Sequence, residues 1–211
     1  MSGHDPPTDA TLSASGSYSL GSGGKVGNFL TLIKADSGYV SMPPAMFRGL
    51  TEITITSWVK ILTTVDWQRL FDIGVNANLA SSPTAGTNTI SYMNFVPQGY
   101  QSGPAVFGIT NTGYAREQRI GWTSALPTDW RHVAIILSGS TGTLYVNGVA
   151  GPPNTALTLR PVDLGTIDYA FIAKSRFDVA PPFDGMIDEF RVYNRALSAA
   201  EVLALYNFTG P

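Results

Sequence analysis

TLYVNGVA, residues 143–150, places an Asn-Gly pair between two short apolar segments. Asn147 and Gly148 both tolerate the positive φ angles that a two-residue hairpin turn demands, so residues 144–146 are predicted to fold back on Val149 and beyond. Working outward, WRHVAIILS (130–138) is apolar on both faces, and TITSW (54–58) alternates, with Ile53, Ile55 and Ser57 opposite Thr54, Thr56 and Trp58. Further short runs rich in Val, Ile, Thr, Phe and Tyr recur between Gly, Pro, Asn, Asp and Ser: QRLFDIG (68–74), TISYMNFVP (89–97), AVFGITN (105–111), YAFIAKS (169–175) and MIDEFRVYN (186–194). This repetition predicts an all-β chain. Strands covered on both sides fit a two-sheet antiparallel β-sandwich, a jelly roll, better than an open sheet.

One helix is predicted, at the C-terminal end. Ser198 and Glu201 have capping-box spacing, Leu197 is placed to staple onto Val202, and Val202, Leu203, Leu205 and Tyr206 make a short apolar stripe. Two turns are marginal alone, so the helix must dock on the sandwich. Residues 1–9, dominated by small and polar types, read as a flexible tail or linker, and residues 10–211 as a single domain. The 211 residues, 44% of them apolar, suffice for one buried core.

Charge and residue usage exclude several functions. Charged residues make up 13% of the chain and the formal net charge is −2, so no broad positive field exists for nucleic acid or anionic lipid. No apolar run reaches the roughly 20 residues that span a bilayer. With no cysteine and only His4 and His132, thiol catalysis, disulfides and zinc–thiolate sites are out. His132, inside an apolar strand, reads as a structural imidazole before a general base. Asp188 and Glu189 are adjacent on a strand, so they point to opposite faces and cannot form a glycosidase pair unless a bulge intervenes. No nucleophile elbow or phosphate loop is present, and enzymatic activity is not expected.

Binding is the better reading. Sugar recognition needs aromatic faces and planar polar groups on one surface. Trp67 with Arg69, Tyr92 with Asn94, and Tyr114 with Arg116 are each two residues apart, so each pair can present from one face of a strand. Tyr100 lies in a long loop, a candidate for the rim. Trp58 and Trp130 read as core, while Trp67 and Tyr114 fit core and platform equally.

The order of the motifs GKVGNFLTLIKADSGYVSMP (24–43), TITSWVKI, WQRLFDIG, WRHVAIILSGSTGTLYVNG, LRPVDLG (159–165) and FDGMIDEFRVYNRALSAAEVLALY (183–206) resembles the laminin-G-like, concanavalin A-like jelly-roll modules attached to bacterial secreted polysaccharide-degrading enzymes. The likeness runs from about Ala10 to Tyr206. It implies a two-sheet sandwich with one concave face that binds glycan or protein, commonly with structural calcium (Ca2+). Asp36, in ADSGYV, and Asp188, in MIDEF, occupy the positions where such modules carry their acids. The bland alternatives are an Asx turn at Asp36 and an ion pair from Asp188 to Arg191 or Arg195. The resemblance also implies a first strand of the form aromatic-x-Phe-Asp-Glu beside IDEFRVY, and nothing of that form precedes Ala10. An open edge is therefore expected near residues 186–193.

Two functions follow. The first is an extracellular or cell-surface module that binds a polysaccharide or glycoprotein glycan. The second is a structural subunit of a surface layer, filament or virion shell that self-associates by strand addition at the open edge. The expectation that the chain is complete without an enzyme domain, and the lack of the usual first strand, favour the second.

Overall fold

The computed structural model describes residues 13–75, 91–177 and 179–210. The tail at residues 1–9 and the domain start at Ala10 lie outside the described residues. The strands run β1 (Ser13–Ser15), β2 (Tyr18–Ser22), β3 (Asn28–Leu32), β4 (Tyr39–Ser41), β5 (Ile53–Ile61), β6 (Phe71–Gly74), β7 (Tyr92–Val96), β8 (Val106–Thr110), β9 (Gln118–Gly121), β10 (Arg131–Ser138), β11 (Thr141–Val146), β12 (Val149–Ala150), β13 (Tyr169–Ile172) and β14 (Gly185–Tyr193), followed by helix α1 (Ala199–Asn207). They form two seven-stranded sheets, ordered β1-β4-β13-β6-β7-β8-β9 and β12-β11-β10-β5-β14-β3-β2, with every strand pair antiparallel.

The interior lies between the sheets, where Ile53, Ile55, Ile135 and Leu144 of one face Phe71, Phe95 and Phe107 of the other. The period of two puts these residues on the inner faces. Asn147 and Gly148 take φ of 51° and 78°, and Val146 pairs with Val149, as a two-residue hairpin requires. β10 is apolar on both faces because its outward residues, Ala134 and Ile136, pack with Leu197 and Val202 under α1. The predicted capping box is present: Ser198 Oγ accepts from Glu201 N at 3.3 Å, and Ser198 N donates to Glu201 Oε2 at 2.7 Å.

The expected open edge at residues 186–193 is filled only at its start; among the described residues no strand pairs with residues 188–193 on that side. Gly185–Ile187 of β14 pair with β3, and β2 lies beyond β3, so the edge strand is β2. The N-terminal segment does this by crossing the side of the sandwich. β1 ends in one sheet and β2 begins in the other after two intervening residues, Gly16 and Ser17. The crossing is close: a Cβ at Gly38 would lie 2.4 Å from the Ser17 carbonyl oxygen, and one at Gly16, which has φ of 78°, would lie 2.8 Å from that of Asp36. Only glycine fits at either position.

β14 also carries a β-bulge. Asp188 pairs with Trp58 and Arg191 with Thr56, so Glu189 and Phe190 together oppose Ser57, and Glu189 takes φ of 53°. Phe190 turns inward onto the Phe71 ring, and Arg191 turns outward.

Candidate functional site

The outward face of the sheet β1-β4-β13-β6-β7-β8-β9 carries an unusual layer. Strand register aligns Phe171, Asp72, Asn94, Gly108 and Arg119 in one row across five strands. Gly108 leaves a gap beside Asn94, and Glu117 reaches over it: a Cβ at Gly108 would stand 3.1 Å from Glu117 Oε2. Arg119 Nε donates to that oxygen at 2.8 Å, and the Tyr92 hydroxyl donates to Glu117 Oε1. The Asn94 side-chain nitrogen is buried with no hydrogen-bond partner among the described residues.

Asp72, fully buried, organises the other half. It accepts from the Tyr169 hydroxyl at 2.9 Å and from Arg176 N at 3.1 Å, and Arg69 Nε lies 3.1 Å away. The angle at Arg69 Nε is too bent for a hydrogen bond, which makes that contact an ion pair. Burial raises the Asp72 carboxyl above its usual range against the opposing pull of Arg69. Burial, reinforced by Glu117, likewise raises the Tyr92 phenol. The segment after β13 closes over this layer. Ala173, with φ of 66°, turns the chain across the face, Ser175 Oγ accepts from Arg69, and Phe177 packs edge-on to Tyr92 with the Arg69 guanidinium 4.8 Å from its ring centre.

The predicted ligand residues therefore fall into three places. Tyr92 and Asn94 share the outward face of β7, as their spacing predicted, yet both are buried with Arg69 beneath the crossing segment. Trp67 and Arg69 lie on no strand, so their parity has no meaning: Trp67 has φ of 68° and is half-buried, while Arg69 is buried. Tyr114 and Arg116 form a 3-10 turn rather than a strand, and both are exposed. Tyr100 is exposed in the loop before β8 and Tyr114 lies in the turn after it, so the two aromatics mark opposite ends of the sheet. Trp58 is buried, but on the outward face under α1, where it packs with Tyr206 and His132. Trp130 is half-buried against Phe29, outside the inter-sheet core.

Asp36 and Asp188 stand apart. Asp188 Oδ2 accepts from Val26 N at 2.8 Å in the turn before β3, whereas Asp36 is exposed in the turn after β3. That turn closes through backbone bonds, Asp36 N to Ile33 O and Ser37 N to Lys34 O, not through the Asp36 carboxylate. The acid that reaches it is Asp184, whose Oδ1 lies 3.4 Å from Lys34 N, a residue the sequence reading did not single out. Arg191 pairs with Glu189 and Arg195 with Glu201, so neither guanidinium pairs with Asp188. Among the described residues, no three His, Cys, Asp or Glu side chains are grouped to hold a metal. The bulge meets the condition under which Asp188 and Glu189 could share a face, but each carboxylate is already engaged.

A shallow hollow with room for about one water lies on the other sheet, between Trp58, His132, Glu189, Arg191 and Phe208. His132 is buried there, and burial, with the Arg191 charge behind it, lowers its pKa to about 4. A neutral, buried ring packed edge-on to Trp58 and tilted against Tyr206 is a packing element.

A sequence profile described as concanavalin A-like lectin/glucanases superfamily, of laminin G type, matches residues 34–203. The chain belongs to that superfamily. Its laminin G-like sandwich is shared with domain 4 of AbnA, an extracellular GH43 arabinanase from Geobacillus stearothermophilus solved in complex with arabinotriose: the TM-score is 0.72 at 21% identity, over 93% of this chain and 88% of that one. The Ruminococcus gnavus IT-sialidase CBM40, bound to α2,3-sialyllactose, superposes with a TM-score of 0.60 at 18% identity over 77% of this chain and 86% of that one. The binding domain of Paraclostridial Mosquitocidal Protein 1 gives 0.64 at 18% identity; it covers 94% of this laminin G-like chain, which spans 47% of that domain. At these identities the likeness shows a common fold. No curated protein matches the chain in sequence.

Proposed function

We propose that the protein is a non-catalytic carbohydrate-binding module that works outside the cell, with its saccharide on the outward face of the β1-β4-β13-β6-β7-β8-β9 sheet and the loops at its ends. The observation that carries this reading is the layer built there from Arg69, Asp72, Tyr92, Asn94 and Glu117. A face that only kept the sandwich soluble would carry solvated side chains. This one is a buried, interlocked polar layer that fixes the strands and the loops at both ends of the sheet, where exposed rings and planar polar groups stand ready for sugar C–H faces and hydroxyls.

Exposed aromatics flank the layer, Tyr100 at one end and Tyr114, with Arg116, at the other. The arabinotriose and sialyllactose bound by structural neighbours support a glycan as partner. The absence of catalysis is supported by the engagement of the acids: Glu117 with Tyr92 and Arg119, Asp72 with Arg69, and Asp188 with Val26. The test is an array of plant and microbial glycans, read in calcium and in chelator. Binding by the wild type that Y114A or R116A, both altered at exposed side chains, weakens at least tenfold supports the reading, and silence in both buffers ends it.

A second reading, self-association, is favoured by one observation: Tyr18 and Leu20 are 52% and 72% exposed on edge strand β2. A concentration-independent monomer in light scattering would count against it.

A further inference from the structure

We infer that Asp66 is the positioning residue of an aromatic subsite, formed by Tyr100 and Trp67 at one end of the sheet, that takes one neutral ring of a saccharide. The inference rests on the carbohydrate reading above and adds a location and a ligand class to it.

One carboxylate holds the loop. Asp66 Oδ1 accepts from Gln98 Nε2 at 2.7 Å and from Ser102 N at 3.1 Å, and its Oδ2 accepts from Gln101 N at 2.6 Å. The adjoining Trp67 N donates to Gln98 O at 3.0 Å, which ties the two loops together. These bonds hold the Asp66 carboxyl below the usual range, that to Gln98 most strongly.

The held backbone is strained. Trp67, Gln101 and Ser102 have φ of 68°, 54° and 57°, conformations that cost a non-glycine residue free energy and persist only when the surroundings enforce them. Gln101 and Ser102 are the two residues whose amides Asp66 captures. A loop that merely joined β7 to β8 would reach the same geometry at less cost with glycine, as the flanking Gly99 and Gly103 show is available locally. What the strain achieves is presentation. Tyr100, next to the captured pair, is 66% exposed, the most exposed aromatic among the described residues, and Trp67 beside the carboxylate is half-buried. Pre-organised aromatic faces of this kind lose little entropy on binding a sugar's C–H side.

The neutral class follows from the surrounding chemistry. Residues 62–68 and 97–105 contain one charged side chain, Asp66 itself, and its oxygens are directed to Gln98, Gln101 and Ser102. The nearest arginine in sequence, Arg69, is buried against Asp72 and Ser175. Nothing in these segments would compensate a uronate or sialate carboxylate.

The test uses the full chain and its Y100A, W67A, D66A and D66A/Y100A variants, titrated by affinity electrophoresis against arabinan and xylan as neutral probes and polygalacturonate as the acidic one, with melting temperatures read in parallel. Y100A, altered at an exposed side chain, is expected to keep its melting temperature and to lose about tenfold in affinity for the neutral probe. D66A is expected to lose as much, and the double variant no more than D66A alone; a purely structural aspartate would not give that coupling. Unchanged affinity in Y100A and W67A, with the wild type still retained, overturns the subsite and leaves the carbohydrate reading standing. Additive losses overturn the positioning role of Asp66, and stronger retention by polygalacturonate overturns the neutral class. Wild type retained by no saccharide overturns the carbohydrate reading and the subsite with it. Should D66A fail to fold, Y100A and W67A decide the subsite, and D66N, which keeps one acceptor oxygen, decides the positioning role.

Discussion

Val26 donates its backbone N–H to Asp188 at 2.8 Å, so a carboxylate on β14 holds the turn of the β2–β3 hairpin across 162 positions of sequence. The packing there leaves no slack, because a Cβ at Gly24 would lie 2.6 Å from the same oxygen. Asp188→Ala removes the acceptor from a part-buried amide and frees the hairpin that extends the sheet beside Gly185–Ile187. We expect a loss of about 1–3 kcal/mol in urea denaturation. Because Asp36 lies beyond the other end of β3, the loss should be the same in calcium and in chelator. A penalty confined to the calcium buffer would show that Asp188 acts through an ion.

His132 sets a pH dependence with a definite sign. In the unfolded chain its pKa is near the ordinary imidazole value of 6.5; in the fold burial lowers it to about 4. Between those values the unfolded state binds a proton that the folded state does not, so stability falls as pH drops from about 6.5 to 4 and levels off below. The drop is at most about 3 kcal/mol. Equilibrium denaturation at several pH values should show it, and His132→Gln should flatten that window even if it lowers stability at neutral pH.

Gly38 and Gly16 carry the chain crossing that joins the two sheets. Gly38→Ala sets a methyl carbon 2.4 Å from backbone rather than against a yielding side chain. A loss of roughly 2–4 kcal/mol is expected, of the size that overpacking and backbone displacement produce. Gly27→Ala is the contrast: it has φ of 76° but no atom within 4 Å of the added carbon, so only the conformational cost of about 1–2 kcal/mol applies.

Much of this fold was legible because its signals are local. Asn147-Gly148 forms its turn with its own neighbours, Ser198 and Glu201 cap within three residues, and the Ile–Thr alternation of β5 needs only the presence of a core. The two-residue spacing of Tyr92 and Asn94 also gave their shared face. It could not give their burial, which depends on Ala173 turning a distant segment over them. Trp67–Arg69 and Tyr114–Arg116 misled for the complementary reason: parity holds only on a strand, and these residues lie in a loop and a 3-10 turn. Asp66 was invisible because its partners are 32 to 36 residues away and nothing in QGYQSGP announces two left-handed residues. The missing first strand implied an open edge beside β14, but the SGSYSLGSGG stretch that replaces it was too polar to read as the strand that helps close that side.

The C-terminal helix supplies the last prediction. Ser198 Oγ accepts from Glu201 N, and the Glu201 carboxylate returns to Ser198 N while Arg195 Nη2 donates to it at 2.7 Å. These contacts hold Glu201 at about 2, that with Arg195 most strongly. A carboxyl whose folded pKa is depressed stabilises the fold above its unfolded value, and that stabilisation is lost as pH falls from about 4.5 through 2. Because the group is at the surface, salt screens the gain, and the capping bonds matter more than the ion pair. Ser198→Ala should therefore cost about 1 kcal/mol at pH 7, while Arg195→Ala should cost less and lose its effect in high salt. Loosening α1 would also wet the Trp58 ring, since Tyr206 packs 5.5 Å from it and Val202 anchors the helix on Ala134 and Ile136. A red shift in tryptophan emission in Ser198→Ala, ahead of global unfolding, would report that fraying; coincident transitions would show that the helix and the sandwich melt as one unit.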